Sequence, residues 1–289
     1  MNTSSLETLK IARIVLATLL AITGGTGCQR ETRQPTAGSL APPPLPKVLR
    51  EARLLFQRPD GIYLATPADS SPRRVTPDAT YPRWLPDGLR LVFIRDNRIM
   101  LHEIADGAER ELTRGNHIRA VTVNRGNGDI LFADASGIHR TGIETGKTEQ
   151  LVSTKRAYEL AAHGSVLVAT ETLALRGFGI RRYHAHSPDA GTLLGRGCSA
   201  SISPDGTLTT LNLDGHRELA ILDVHAGSTR QTIPAPADMQ LDNQYWSNHP
   251  DWIAAVSHGG DILLQRVSDA ACWQLTATGD TDRPDLFIP

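Results

Sequence analysis

From about Arg53 onward, short runs of alternating apolar and polar residues are cut at close intervals by Gly, Asp, Asn and Pro. Period-two alternation between such breaks predicts strands with one or both faces buried. No window holds a helical period long enough to compete. A unit with three turn slots recurs along the chain, and a repeat of this length points to a solenoid or a propeller.

The first slot is a Pro-Asp-Gly-type turn before an apolar strand. It reads Pro82-Arg-Trp84-Leu-Pro86-Asp87-Gly88, returns as Ser201-Ile-Ser203-Pro204-Asp205-Gly206, and degenerates to Trp246-Ser-Asn-His249-Pro250-Asp251-Trp252. A looser copy keeps Asn127-Gly128. The second slot is a short polar turn: Asp60-Gly61, Asp96-Asn97, Ser136-Gly137, Asp214-Gly215 and Gly259-Gly260. The third precedes a strand that closes the unit, as in Asp106-Gly107, Thr145-Gly146, Ala226-Gly227 and Ser268-Asp269. Asp-Gly and Asn-Gly supply the positive φ angles of tight hairpins. Three such turns join four antiparallel strands, which is one propeller blade. The units end at Thr76, Thr113, Val152, Gly195, Ile233 and Thr276, which predicts six blades.

The first unit lacks an innermost strand, since it starts at Leu54-Leu55-Phe56. The C-terminus carries a spare one, Asp285-Leu286-Phe287-Ile288. Pairing the two would complete the first blade and remove an exposed sheet edge. The expected fold is therefore all-β, a six-bladed β-propeller over residues 53–289 closed by its C-terminal strand. The Pro-x-Trp-x-Pro-Asp-Gly turn followed by an apolar strand and a Leu-Thr ending resembles the repeat of TolB-like β-propellers. The same repeat type occurs in the propeller of prolyl-oligopeptidase-family enzymes. The resemblance implies a periplasmic, non-catalytic module that binds other envelope proteins.

Ahead of the repeats, Lys10 and Arg13 precede an apolar run, Ile14 to Ile22, and then small residues up to Gly27. The run suits the core of a signal peptide, assigned to residues 1–27, and is short for a membrane span. The stretch ending at Cys28 resembles the lipobox of bacterial lipoproteins, with Gly25 standing where an aliphatic residue is usual. Lipidation of Cys28 would anchor the protein to the outer membrane, and ordinary signal cleavage near Gly27 is the rival expectation. Residues 28–52, rich in proline, read as a tether.

Charge is balanced, with 30 Lys and Arg against 31 Asp and Glu, and no basic block occurs. A nucleic-acid surface is not expected. The chain lacks a Gly-x-Ser-x-Gly elbow and the couple of hundred residues a hydrolase domain would need. Asp60, Asp87, Asp205, Asp214 and Asp251 are read as turn builders. Cys198 and Cys272 are expected in different strands, too far apart for a disulfide, as buried structural thiols. His184 and His186, two apart, share a strand face, but no third ligand is identifiable, so no metal and no cofactor are assigned. His102, His139 and His184 are read as one structural slot of the repeat. Trp84 and Trp246 are expected between blades. Trp252, placed on the turn glycine, and neighbouring His249 are the candidate partner contact at one rim. The expected function is a monomeric, membrane-tethered scaffold or protein-binding module. The alternative is a ligand-binding or catalytic propeller, of lyase or glycosidase type, with its site in the central channel.

Overall fold

A computed structural model describes residues 44–289 except 70, 175, 176, 185, 186 and 237, with the backbone alone at 187–190. Cys28, the apolar leader and most of the tether lie outside the described residues. Six sheets follow one another around a ring. Blade 1 holds β1 (Arg53–Arg58), β2 (Gly61–Ala65) and β3 (Arg73–Pro77). Blade 2 holds β4 (Thr80–Trp84), β5 (Arg90–Arg95), β6 (Arg98–Glu103) and β7 (Glu109–Arg114). Blade 3 holds β8 (Ala120–Val123), β9 (Ile130–Ala133), β10 (Ile138–Thr141) and β11 (Thr148–Val152). Blade 4 holds β12 (Ala157–His163), β13 (Val166–Thr172), β14 (Phe178–His184) and β15 (Ser187–Arg196). Blade 5 has β16 (Leu208–Leu213), β17 (Glu218–Asp223) and β18 (Thr229–Pro234). Blade 6 has β19 (Leu241–Trp246), β20 (Trp252–Ser257), β21 (Ile262–Arg266) and β22 (Cys272–Gln274).

The last strand, β23 (Asp282–Phe287), pairs antiparallel with β1, placing Arg53 opposite Phe287 and Leu54 opposite Leu286. The ring thus closes as the complementary ends of the sequence predict. Blade 5 departs from the repeat. Its inner segment, residues 198–203, keeps a single ladder contact, Ile202 to Thr209. Hydroxyls reinforce the backbone bonds from Thr210 N to the Ser201 carbonyl and from Asn212 N to that of Cys198: Thr209 Oγ1 donates to the Ser201 carbonyl at 2.7 Å and Thr210 Oγ1 to that of Ser199 at 2.6 Å.

Apolar burial concentrates at the seams between blades. Leu55, Trp84, Phe93 and Phe287 join blades 1 and 2, while Ile221, Trp246 and Ile253 join blades 5 and 6. Trp84 and Trp246 therefore pack where the repeat places them. The third turn slot also behaves as expected, since Gly107, Gly146 and Gly227 have φ of 76°, 61° and 68°. Ala270 occupies the corresponding turn of blade 6 at φ 61°, a region that penalises a side chain. The three histidines share the third strand of their blades without sharing a level. His102 pairs with Leu91, whereas His139 pairs with Phe132, two residues further along. Among the described residues, no helix is long and apolar enough to cross a membrane.

Candidate functional site

Side chains of an inner strand alternate between a seam and the axis. Matching the strand registers brings Asp285, Arg83, Thr122, Ser201 and Tyr245 to one level of the axial channel. Contacts across the ring confirm the level. Thr122 of blade 3 and Tyr245 of blade 6 share a hydroxyl hydrogen bond of 2.8 Å. The Arg83 guanidinium lies 3.9 Å from the centre of the Tyr245 ring, a cation–π contact. Asp285 and Ser201 turn sideways and accept the backbone N–H of Trp84 and Trp246, at 2.8 and 2.7 Å. Burial pushes the Asp285 carboxyl above the ordinary carboxylate range, against the pull of Arg83 and Arg125.

A second level lies two residues back along the strands. There Arg283 Nη1 meets Glu159 Oε1 at 3.2 Å and donates to the Tyr81 hydroxyl at 3.2 Å. The Tyr81 ring stands 4.4 Å from the same guanidinium. Glu159 Oε2 accepts from Ser199 N (2.8 Å), Ala200 N (3.3 Å) and the Thr170 hydroxyl (2.5 Å). One carboxylate thus ties blades 1, 4 and 5 together. Tyr81, Ser199, Asn243 and Arg283 all adopt positive φ at this level, where bulges interrupt the pairing of β4, β19 and β23. The channel interior is filled by these self-paired groups, which leaves its two mouths for contact.

At the mouth where inner strands end, a cavity of about 180 Å³ is lined by Trp84, Arg125, Tyr245, Asn248, Asp285 and Phe287. Arg125 donates to the Ser247 carbonyl at 2.6 Å and to that of Trp246. Asn248 clamps the chain end, donating to the Ile288 carbonyl and accepting its N–H, both at 2.7 Å. On the rim, Leu89 is 61% exposed. His249, half-buried, lies in the same blade 6 loop and accepts the N–H of Asp251 at 3.2 Å.

Trp252 is not on this rim. It is 2% exposed and packs against Trp273 with ring centres 5.3 Å apart. Its turn is offset by two residues from that of Pro86-Asp87. Leu85 N donates to the Arg90 carbonyl and Ser247 N to that of Trp252, so Trp252 matches Arg90 and Pro250 matches Gly88. Of the turn aspartates, Asp87 accepts from Leu89 N and Asp205 from Thr207 N, at 2.8 and 3.1 Å. Asp251 instead reaches the next turn, accepting from Ser268 N at 2.7 Å.

His186 is outside the described residues, and His184 stacks on His225 of blade 5 with ring centres 6.3 Å apart. Cys272 lies in the outermost strand of blade 6, half-buried rather than buried, and that burial pushes its thiol up to about 12. Cys198 is buried at the start of the blade 5 inner segment, far from Cys272, beside His216 and Asp242. The channel residues escaped sequence reasoning, although a signal existed. A polar residue recurs one position before the seam residue of the inner strands: Asp285, Arg83, Thr122, Ser201 and Tyr245.

No protein-family profile and no curated protein matches the sequence. Solved structures do. TolB from Acinetobacter baumannii superposes with a TM-score of 0.65 at 16% identity, over 82% of this chain and 67% of its own. A chain of the nidogen/laminin complex gives 0.67 at 8% identity, over 81% of this chain and 98% of its own. Hsv2 of Kluyveromyces lactis gives 0.53 at 12% identity, over 75% and 70%. At these identities the likeness shows the fold: the chain is a six-bladed β-propeller similar to that of TolB.

Proposed function

We propose that this chain is a non-catalytic, membrane-tethered propeller of the bacterial envelope that holds a protein partner at the mouth where its inner strands end. The size and lining of the cavity there carry the reading. At about 180 Å³ it falls below the roughly 300–1,000 Å³ typical of small-molecule pockets. It suits a side chain projecting from a larger partner. Trp, Tyr and Arg line it, the residue types that anchor protein interfaces. Arg53 adds a guanidinium 5.0 Å from the Phe287 ring and 5.4 Å from that of Trp84. The tether reaches the ring at this same end, with Leu49 and Ala52 buried against Trp252, Leu286 and Ile288. A lipid on Cys28 would then place the ring at the periplasmic face of the outer membrane, on residues 28–52. The kinship of fold with TolB and with a chain solved in a protein complex supports the same reading.

The test is site-specific photo-crosslinking of the full-length chain in its own envelope. A probe at Leu89 should give a discrete protein adduct that excess unlabelled chain competes away. A probe at Glu111, exposed on the outermost strand of blade 2, should not. Equal labelling from both positions would overturn the assignment of the rim. Mass spectrometry of the mature N-terminus reads the anchor directly, since an unmodified terminus near residue 28 excludes it.

A further inference from the structure

Two features of blade 5 meet at one point. Four residues before the seam residue, blades 1 and 6 carry Asp282 and Asp242, whose Oδ1 atoms accept the next backbone N–H at 2.8 Å each. Blade 5 has Cys198 in that slot. Its hairpin between β16 and β17 spans four residues, as the equivalent hairpin of blade 3 does. Asp214, Gly215 and His216 take φ of 45°, 59° and 73° in succession. Strain of this kind at non-glycine residues persists where surrounding structure enforces it. The result is an imidazole folded back over the thiol.

The distances among the three donors form a compact triangle. Cys198 Sγ lies 3.9 Å from His216 Nδ1 and 3.8 Å from Asp242 Oδ1. His216 Nδ1 lies 3.6 Å from Asp242 Oδ1. A nucleophilic triad would be extended, with the imidazole standing between thiol and carboxylate. Here the carboxylate touches both partners. Tetrahedral zinc, with Zn–S about 2.3 Å and Zn–N or Zn–O about 2.0–2.2 Å, sets its donors roughly 3.4–3.6 Å apart. A contraction of a few tenths of an ångström makes the triangle a ligand set.

The surroundings are those of oriented ligands. Asn212 Nδ2 spends its two hydrogens on Ser199 Oγ (2.8 Å) and the Leu241 carbonyl (3.1 Å). His216 Nδ1 lies 3.2 Å from both the Leu241 carbonyl and Asn212 Nδ2, contacts that hold the ring beside the carboxylate. Ser199 Oγ donates to Asp242 Oδ1 at 3.1 Å. Outer hydrogen bonds of this kind fix the tautomer and the angle of metal ligands. A cavity of about 300 Å³ opens onto Cys198 and His216 and provides an entry path. The His258 ring is centred 4.9 Å from that of His216.

We propose that Cys198, His216 and Asp242 form a binding site for a zinc-class divalent metal ion at the seam of blades 5 and 6. Thiolate, imidazole and carboxylate together select zinc or cobalt over magnesium and calcium. On binding, the Cys198 thiol releases one proton to water and its sulfur takes the metal. The ion then ties the inner segment of blade 5 to β19.

The test uses the reduced, full-length chain freed of metal by a chelator. Cobalt(II) should produce a sulfur-to-cobalt charge-transfer band in the near ultraviolet, displaced by zinc(II). Calorimetry should count one zinc per chain, with affinity weakened roughly 100-fold or more in Cys198→Ser and His216→Gln. Peptide-resolved alkylation supplies a readout that needs no variant: zinc should shield Cys198 and leave Cys272 unchanged. Absence of the band, equal alkylation of Cys198 with and without zinc, or zinc binding that survives Cys198→Ser each overturns the site.

Discussion

Replacing Glu159 with alanine probes the cross-channel architecture most directly. The substitution strips Arg283 of its carboxylate and leaves the Ser199 N–H without its acceptor, while Ala200 N keeps the Thr170 hydroxyl at 3.1 Å. Breaking a buried ion pair costs about 3–5 kcal/mol. The orphaned N–H adds about 1–3 kcal/mol where water cannot reach it. The Arg283 side chain keeps 22% of its surface exposed, so water relieves part of the loss. The low end, about 3–4 kcal/mol, is therefore expected. For a domain of this size that lowers Tm by roughly 6–16 °C. Glu159→Gln keeps an oxygen for the Ser199 N–H but turns an amide toward Arg283, costing about 1–2 kcal/mol. Adding Arg283→Met to Glu159→Ala should restore part of the stability, because no lone guanidinium is then left in the channel. Urea denaturation of the parent, Glu159→Ala, Arg283→Met and the double variant reads the cycle. A loss under about 1 kcal/mol for Glu159→Ala, or additivity in the double variant, would refute the claim that this pair joins the blades.

Three further outcomes are expected. Ala270→Gly relaxes the left-handed turn of blade 6 and should raise Tm by roughly 1–4 °C in a thermal melt, whereas Gly107→Ala in blade 2 should lower it. Leu286→Ala, on the closing strand and 1% exposed, should cost about 2–5 kcal/mol by chemical denaturation and speed proteolysis at the chain ends. Asp134 gives the pH test. Burial opposes its charge, but N–H donors from Asn116, Ser136 and Gly137 and the Ser136 hydroxyl hold its carboxyl well below the ordinary range. A depressed acid stabilises the fold above its unfolded value of about 3.9 and loses that contribution as pH falls further. Asp134→Asn should therefore be less stable than the parent at neutral pH, with a flatter stability profile below about pH 4.

Fold was legible in the sequence because it rests on local chemistry repeated many times. Most of the Gly-bearing turns appear at positive φ, Gly137 excepted, and the spare strand at the C-terminus pairs with β1. Side-chain depth was less legible. Trp252 reads as a turn residue when Pro250-Asp251 is laid on Pro86-Asp87, and a shift of two residues moves it from rim to seam. The channel pairs were hidden for a different reason. Arg283 and Glu159 are 124 residues apart, and only ring closure brings them together.

A repeat also supplies its own control, and this separates structural polarity from chemistry here. Asp242 and Asp282 serve their bulges identically, each accepting the following N–H, so backbone geometry explains both. Cys198 at the same slot has no such reason to be a thiol. A carboxylate there would cap the Ser199 N–H, which Glu159 of blade 4 accepts instead. Another blade has thus taken over the structural duty of the slot, and the side chain at 198 is released from it. The hairpin that turns His216 over the thiol holds three left-handed residues, of which Asp214 and His216 are not glycine. A thiol without the repeat's structural role and an imidazole turned over it by left-handed backbone converge on one point, and a ligand bound between them accounts for the pair.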